Sequence, residues 1–352
     1  MNRTALVNRT ALVNLSAPDA PRHLVSELGE RALLARIRAR LPRPPTSVIV
    51  GVGDDAAVVA PARNIRLVLT TDALVEGVHF ERAFSVPADI GYKALAVNLS
   101  DLAAMGATPE WALLSLALPD DAIVDEVEAL VGGLVDLASK ENLAVVGGNV
   151  TRSPGPLVID VTAVGSVHPR RFLTRSGGRP GDDLYLSGSV GAGAAGLEML
   201  QAGERSGEGS GCIGRYQRPP ARVRLGRALA HARAARAAMD LSDGLADAVR
   251  QVAQASGCGA EVIESALPIA EAARKWWDAR GVDAVRAALT GGDDYELLVA
   301  APPAWRGRLR HAQRHVAKPP LTRIGKLTRA EGEYLLLRDG RTEVLPGGFE
   351  HF

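Results

Sequence analysis

Thr70-Thr71-Asp72-Ala73-Leu74-Val75-Glu76-Gly77-Val78-His79-Phe80 continues directly from the apolar run Ile65 to Thr70. The leucine and β-branched residues of that run predict a strand. Asp72 then stands at a strand end, where a carboxylate projects beyond the sheet into a crevice. Thr70 and Thr71 bring hydroxyl and carbonyl oxygens to the same point. Hard oxygen donors suit Mg²⁺, which takes a few carboxylates and completes its shell with water and phosphate oxygens.

The same theme recurs along the chain. Asp54 and Asp55 lie in Gly51-Val52-Gly53-Asp54-Asp55, Asn98 and Asp101 in Asn98-Leu99-Ser100-Asp101, and Asp240 and Asp243 in Met239-Asp240-Leu241-Ser242-Asp243-Gly244. Asp293 and Asp294 follow Gly291-Gly292, and Gly147-Gly148-Asn149 follows a short apolar run. Taken singly, an aspartate beside glycine is more often a turn or a helix cap than a ligand. Carboxylates gathered without a lysine or arginine in the same segments repel by about 1 to 4 kcal/mol per close pair, and a divalent cation removes that penalty. Asn98 and Asp101 are three apart on a predicted helix and so share a face. Ser242 and Asp243 precede a helix start, where free backbone N–H groups favour phosphate. Arg152 and Arg175 are candidates for forked phosphate contacts.

Working outward, helix and strand alternate. Glu27 to Leu41 has helical spacing, Val48 to Val52 and Ala57 to Ala60 are short strands, Ala88 to Met105 is a long helix, and Trp111 to Leu118 a strand. A helix over Asp121 to Glu141 and strands at Leu143 to Val146 and Leu157 to Val167 follow. The basic, glycine-rich Pro169 to Gly181 makes a boundary, giving a tail at 1–25 and domains at 26–168 and 169–352. In the second half, strands at Leu184 to Ser187 and Tyr295 to Ala300 and helices at Ala192 to Gln201, Ala221 to Ala235 and Leu245 to Ala255 surround a Gly/Ser-rich, mobile loop from Gln201 to Gly214. Such mixed order indicates an α/β or α+β chain rather than a bundle or sandwich. Gly191-Ala192-Gly193-Ala194-Ala195-Gly196 matches the dinucleotide fingerprint, but no second strand ending in an acid follows it. Tight helix packing or a close backbone approach explains it better.

Composition narrows the class. The chain of 352 residues exceeds the size at which one core usually stops growing. A net charge of +1 gives no global field for nucleic acid or membrane. No apolar stretch reaches the roughly 20 residues of a membrane helix, and the two cysteines, Cys212 and Cys258, lie outside any metal spacing, as in a cytoplasmic protein. Asn2 to Val7 is repeated as Asn8 to Val13, too short a unit for a solenoid and without the apolar core of a secretory signal.

Together, 51–57, 70–80, Lys93 to Ala107, Leu173-Thr174-Arg175-Ser176-Gly177, 239–245, Gly291 to Leu297 and Gly348-Phe349-Glu350-His351-Phe352 resemble, in order, the signature blocks of the thiamine-monophosphate kinase family. The resemblance runs from about Ser26 to the C-terminus, and its aspartate blocks are shared with aminoimidazole ribonucleotide synthetase, selenophosphate synthetase and the hydrogenase maturation ATPases. It implies a synthetase-like fold of two domains, with N-terminal sheets of two subunits forming a barrel in a homodimer and ATP bound between domains. It implies γ-phosphoryl transfer from ATP to thiamine monophosphate, giving thiamine diphosphate and ADP. It also implies that Asp55, Thr70, Thr71, Asp72, Asp101, Asn149, Asp240 and Asp243 hold Mg²⁺, and that Gly148, Asn149, Arg175 and Ser242 contact ATP. His79, Asp293 and Phe349 line the acceptor site, and Asp72, Asp101, Asp243 and Arg175 carry the transfer. The chain departs from the family pattern at Asn149, usually Asp, and at Asp293, usually Glu. A sister synthetase with a different acceptor and a non-catalytic phosphate-ester-binding protein are the alternatives.

Overall fold

A computed structural model describes residues 23–52, 56–205, 207, 209–316 and 318–348. Asp54, Asp55, Phe349 and most of the tail therefore lie outside the described residues. The first half runs α1 (Val25–Leu28), α2 (Glu30–Arg40), β1 (Val48–Val50), β2 (Val58–Val59), β3 (Arg66–Val75), α3 (Pro87–Ala104), β4 (Thr108–Leu118), α4 (Val124–Lys140), β5 (Ala144–Arg152) and β6 (Val158–Val167). The second runs β7 (Asp183–Ser187), α5 (Ala192–Gln201), α6 (Ser210–Gln217), α7 (Val223–Ala232), β8 (Ala237–Asp240), α8 (Leu245–Ala255), β9 (Gly259–Ile263), α9 (Glu271–Asp278), α10 (Ala284–Thr290), β10 (Leu297–Ala301), α11 (Arg306–Val316), β11 (Leu321–Thr328), β12 (Tyr334–Arg338) and β13 (Arg341–Val344).

Two large sheets result. Strands β3-β6-β4-β5 form the first, antiparallel except for the β4–β5 pair. The second has the order β13-β12-β9-β11-β7-β10-β8, with only β12 and β9 parallel. Helix α3 lies between them. Pro87 occupies its first turn, where the missing N–H costs nothing, and Gly106, at φ +69°, follows its end. Leu95, Leu99 and Leu102 of α3 share one core with Leu225 and Leu229 of α7 and with Leu297 and Val299 of β10. Glycines bring the helix backbones close: a Cβ on Gly91 would fall 1.8 Å from the Leu130 carbonyl oxygen, and one on Gly226 1.9 Å from that of Ala103.

Four expectations need correction. The helix expected over Glu27 to Leu41 is split at Gly29, whose φ of +81° a helix cannot continue through. Strand β3 does not stop near Asp72 but runs to Val75, because Ala73, Leu74 and Val75 keep pairing with Asp160, Ile159 and Val158. Likewise β5 passes through Gly147-Gly148-Asn149 to Arg152 on the ladder supplied by β4. The loop expected from Gln201 to Gly214 gives way to α6 from Ser210, since Cys212, Ile213 and Tyr216 bury one face of it. The fingerprint glycines are packing residues: Cβ atoms on Gly193 and Gly196 would lie 2.3 Å from the Asp293 carbonyl oxygen and 2.2 Å from that of Cys212. Among the described residues no helix is long and apolar enough to cross a membrane.

Candidate active site

The carboxylates converge where β3, the last turns of α3 and the end of β8 meet. Thr70 Oγ1 donates to Asp101, joining strand to helix. Ser100 Oγ donates to Asp240 Oδ2 at 2.7 Å, joining helix to the second sheet. Asp72 is pushed up to about 6, by burial first and then by Asp101, Asp160 and Asp243. Asp240 is pushed up to about 7, again by burial first and then by Asp101, with Ser100 and Arg175 opposing. Burial also raises Asp101, against the Thr70 hydrogen bond and Arg175. These five acids thus share one field, with Arg175 as a counter-charge. Its Nη1 donates to Gln251 at 2.6 Å, and Gln251 Nε2 donates to Asp247 at 2.6 Å, which aims the guanidinium along α8. Ser242 Oγ donates to Asp243 Oδ2 at 3.1 Å, just before that helix.

Oxygen donors with raised proton affinity fit a hard divalent cation. Asn98 supports the fit, because its Oδ1, one turn before Asp101, is buried with no hydrogen-bond partner. Among the described residues no three histidine, cysteine, aspartate or glutamate side chains close into a preformed cage.

Not every anticipated residue joins this cluster. Along β3, alternate residues face opposite sides, so Thr70 and Asp72 look toward α3 while Thr71 looks away. Thr71 Oγ1 donates to Asp160 Oδ1 at 3.2 Å and lies 3.2 Å from Thr162 Oγ1. Ser115 pairs with both Asp160 and Asn149, placing Asn149 on this outer side too. Here a cavity of about 580 Å³ is lined by Leu34 and Ile37 of α2, Val52 and Ala57, Gly147 to Asn149, and Asp160. The volume lies within the range typical of small-molecule pockets. Asp160 was absent from the sequence-derived set. Its signal is an acid placed amid the apolar Val158-Ile159-Asp160-Val161.

His79 and Asp293 are joined by a residue the sequence reading passed over. Lys93, the only basic residue of α3, donates from Nζ to Asp293 Oδ2 at 3.0 Å and to the His79 carbonyl oxygen at 3.2 Å. The ammonium also stands 3.9 Å from the centre of the Tyr216 ring, and the Tyr216 hydroxyl donates to the same carbonyl at 3.2 Å. Tyr295 donates to Asp293 Oδ1 at 3.1 Å. His79 Nδ1 accepts from the Val75 N–H at 3.0 Å, which assigns the ring proton to Nε2. Asp293 and Tyr295 both hold left-handed backbone, φ +65° and +48°, uncommon outside glycine and typical of functional sites. Asp294 instead caps α5, its oxygens accepting the N–H groups of Gly191 at 2.6 Å and Gly193 at 3.0 Å. Glu296, wholly buried, is clamped by Arg215, Arg222 and Ser187. Both are structural acids.

The site is an acid-lined cleft between two sheets, beside an apolar cavity, in a fold of the AIR synthase related class. The AIR synthase related family matches the chain through its N-terminal domain at residues 53–167 and its C-terminal domain at 179–338. Within that class, the chain belongs to the thiamine-monophosphate kinase family. The thiamine-monophosphate kinase of Escherichia coli is 40% identical over 330 residues, covering 92% of this chain and 98% of that protein. That of Bacillus subtilis is 35% identical over 321 residues, covering 87% and 94%. The crystal structure of thiamine-monophosphate kinase from Stenotrophomonas maltophilia has a TM-score of 0.77 at 41% identity, over 88% of this chain and 96% of that one. AaThiL complexed with AMPPCP and TMP has a TM-score of 0.72 at 34% identity, over 95% and 100%. The hydrogenase maturation protein HypE of E. coli, at 21% identity and a TM-score of 0.74 over 90% and 97%, shares the fold.

Proposed function

We propose that this protein transfers the γ-phosphoryl group of ATP to the phosphate of thiamine monophosphate. A phosphate oxygen of the acceptor forms the new P–O bond, the bond between the γ-phosphorus and the β,γ-bridging oxygen breaks, and thiamine diphosphate and ADP leave. The reading rests above all on the convergence of Asp72, Asp101, Asp240 and Asp243 in one cleft, where burial first and neighbouring acids second push Asp72 up to about 6 and Asp240 up to about 7. The kinship with thiamine-monophosphate kinases supplies the acceptor.

Asp72, Asp101, Asp240 and Asp243 with Thr70, and Asp55 by family resemblance, would hold Mg²⁺, which would supply the positive charge that lets two polyanions approach. The nucleophile is already anionic, so the site needs no strong general base. Arg175 is poised as the fixed cation for the transferring group, and its hydrogen bond to Gln251 holds it there. Ser242 and the start of α8 offer hydroxyl and N–H donors to phosphate. On the outer side of the first sheet, Gly148, Asn149, Asp160 and Thr162 border the cavity that takes the nucleoside, with Thr71 hydrogen-bonded to Asp160 behind them. Lys93 holds Asp293 and the His79 backbone in one wall, and the family resemblance assigns Phe349, outside the described residues, to the acceptor site.

The outer face of β3 and β4 exposes Leu67, Leu69 and Leu113. In this reading a second copy covers it, closing the barrel of a cytoplasmic homodimer. The halves at 26–168 and 169–352 act as the two domains that enclose ATP. The direct test is an assay with ATP, Mg²⁺ and thiamine monophosphate. Folded protein that forms no thiamine diphosphate rejects the reading.

A further inference from the structure

Away from the carboxylate cleft, a second cavity of about 570 Å³ opens between α7, α11 and the far end of the first sheet. Its cations come from three separate elements. Arg224 and Arg227, three apart on α7, share a face, and Arg171 enters from the segment after β6. Four of the chain's seven histidines join them: His168, His231, His311 and His315. A chain of net charge +1 has no general excess of positive charge to explain this.

Among the described residues the cluster has no acid in contact with it, although Glu141 lies within its field. Among the described residues, none of these seven side chains forms a salt bridge. Glu141 is the acid that feels Arg224 and Arg227, and burial disfavours its charge. Arg171 Nη1 lies 2.6 Å from His231 Nδ1, while the buried Arg171 Nε has no partner. His311 and His315, one turn apart on α11, bring their Nε2 atoms to 3.2 Å. The three guanidinium groups facing one concave space repel, and an anion there would relieve them, with the histidine rings offering N–H donors beside it. Guanidinium forks match phosphate oxygens in particular.

We propose that this cavity binds a small molecule carrying two or more phosphates, at a site separate from the carboxylate cleft. Ile65, Thr108 and Ser166 form its floor, and Ile65 lies seven residues before Asp72, roughly 23 Å along an extended strand. The two places are mechanically joined through α7, whose Gly226 touches Ala103 of α3, two residues beyond Asp101. Three converging walls suit a compact anion rather than a nucleic-acid strand, which would need an open groove.

Titration calorimetry of the full chain with inorganic triphosphate, in EDTA and low salt, tests this independently of any kinase activity. Without metal the carboxylate cleft repels the probe. One site should appear, and the double variant Arg224→Gln/Arg227→Gln should weaken it at least about 10-fold, as loss of charge-assisted hydrogen bonds requires. Asp72→Asn should leave the affinity unchanged. His311→Asn/His315→Asn gives a second reading from α11 if the arginine variant does not fold. A parallel titration with ADP asks whether the phosphates alone are recognised: equal affinity supports a polyphosphate ligand, and tighter binding a nucleotide. No heat with wild type, equal heat in the arginine and histidine variants, or loss in Asp72→Asn would overturn the proposal. Binding that requires added Zn²⁺ would also overturn it and reassign His311 and His315 as a metal pair.

Discussion

Replacing Asp72 by asparagine should move activity and stability in opposite directions. The Asp72 carboxyl is pushed from its ordinary 3.8 to about 6, mainly by burial and by Asp101. A raised folded-state value means that the associated stability is fully present below 3.8 and is lost as pH rises through about 6. At 1.36 kcal/mol per unit, that shift amounts to about 3 kcal/mol at pH 8. Partial solvent access reduces it to about 1–2 kcal/mol. In EDTA at pH 8, Asp72→Asn should therefore melt about 1–3 °C above wild type, and the difference should vanish near pH 4. With ATP, Mg²⁺ and thiamine monophosphate, the same variant should lose at least about 100-fold in rate, about 2.7 kcal/mol of transition-state stabilisation. Differential scanning fluorimetry over pH 4 to 8, alongside a coupled ADP assay, reads both. A variant that is less stable than wild type in EDTA at pH 8 would refute the mutual repulsion. One that keeps its rate would remove Asp72 from the transfer.

Three further substitutions probe other parts of the molecule. Asn149→Asp adds a charge on the outer side of the first sheet and should lower the Mg²⁺ concentration for half-maximal rate; an unchanged or higher requirement counts against a metal near Asn149. Lys93→Met removes the partner of Asp293, whose side chain is 28% exposed, and should cost about 1–3 kcal/mol, less than the 3–5 of a fully buried pair. The KM for thiamine monophosphate should rise with it, and an unaltered KM would restrict Lys93 to a structural role. Gly91→Ala sets a gain of about 1 kcal/mol in helix propensity against a Cβ 1.8 Å from the Leu130 carbonyl oxygen. Overpacking of about 1–3 kcal/mol or more should win, lowering the urea midpoint; a higher midpoint would mean that α3 and α4 separate freely.

Strand and helix order was legible because period and punctuation are local. Helices α5 and α8 begin and end where spacing and glycines place them, at Ala192–Gln201 and Leu245–Ala255. Strand ends were less legible. Asp72 and Gly148 break the apolar pattern, yet β3 and β5 continue through them because neighbouring strands supply the ladder. Lys93 and Asp160 were missed for a related reason. Each is flanked by apolar residues, and its meaning comes from partners far away in the chain, Asp293 and Thr71.

By itself, the sequence placed acids in separate segments beside small residues and oxygen donors and without local counter-charges, a pattern that a shared cation would relieve. Folding decided which acids meet and on which side of a sheet. Thr70 and Thr71 are neighbours in sequence, but strand pleating sends one to Asp101 and the other to Asp160. Asp293 and Asp294 are likewise adjacent, yet one faces Lys93 while the other caps α5. Side-chain direction depends on backbone dihedrals and tertiary pairing, and neither is written in the order of residues alone.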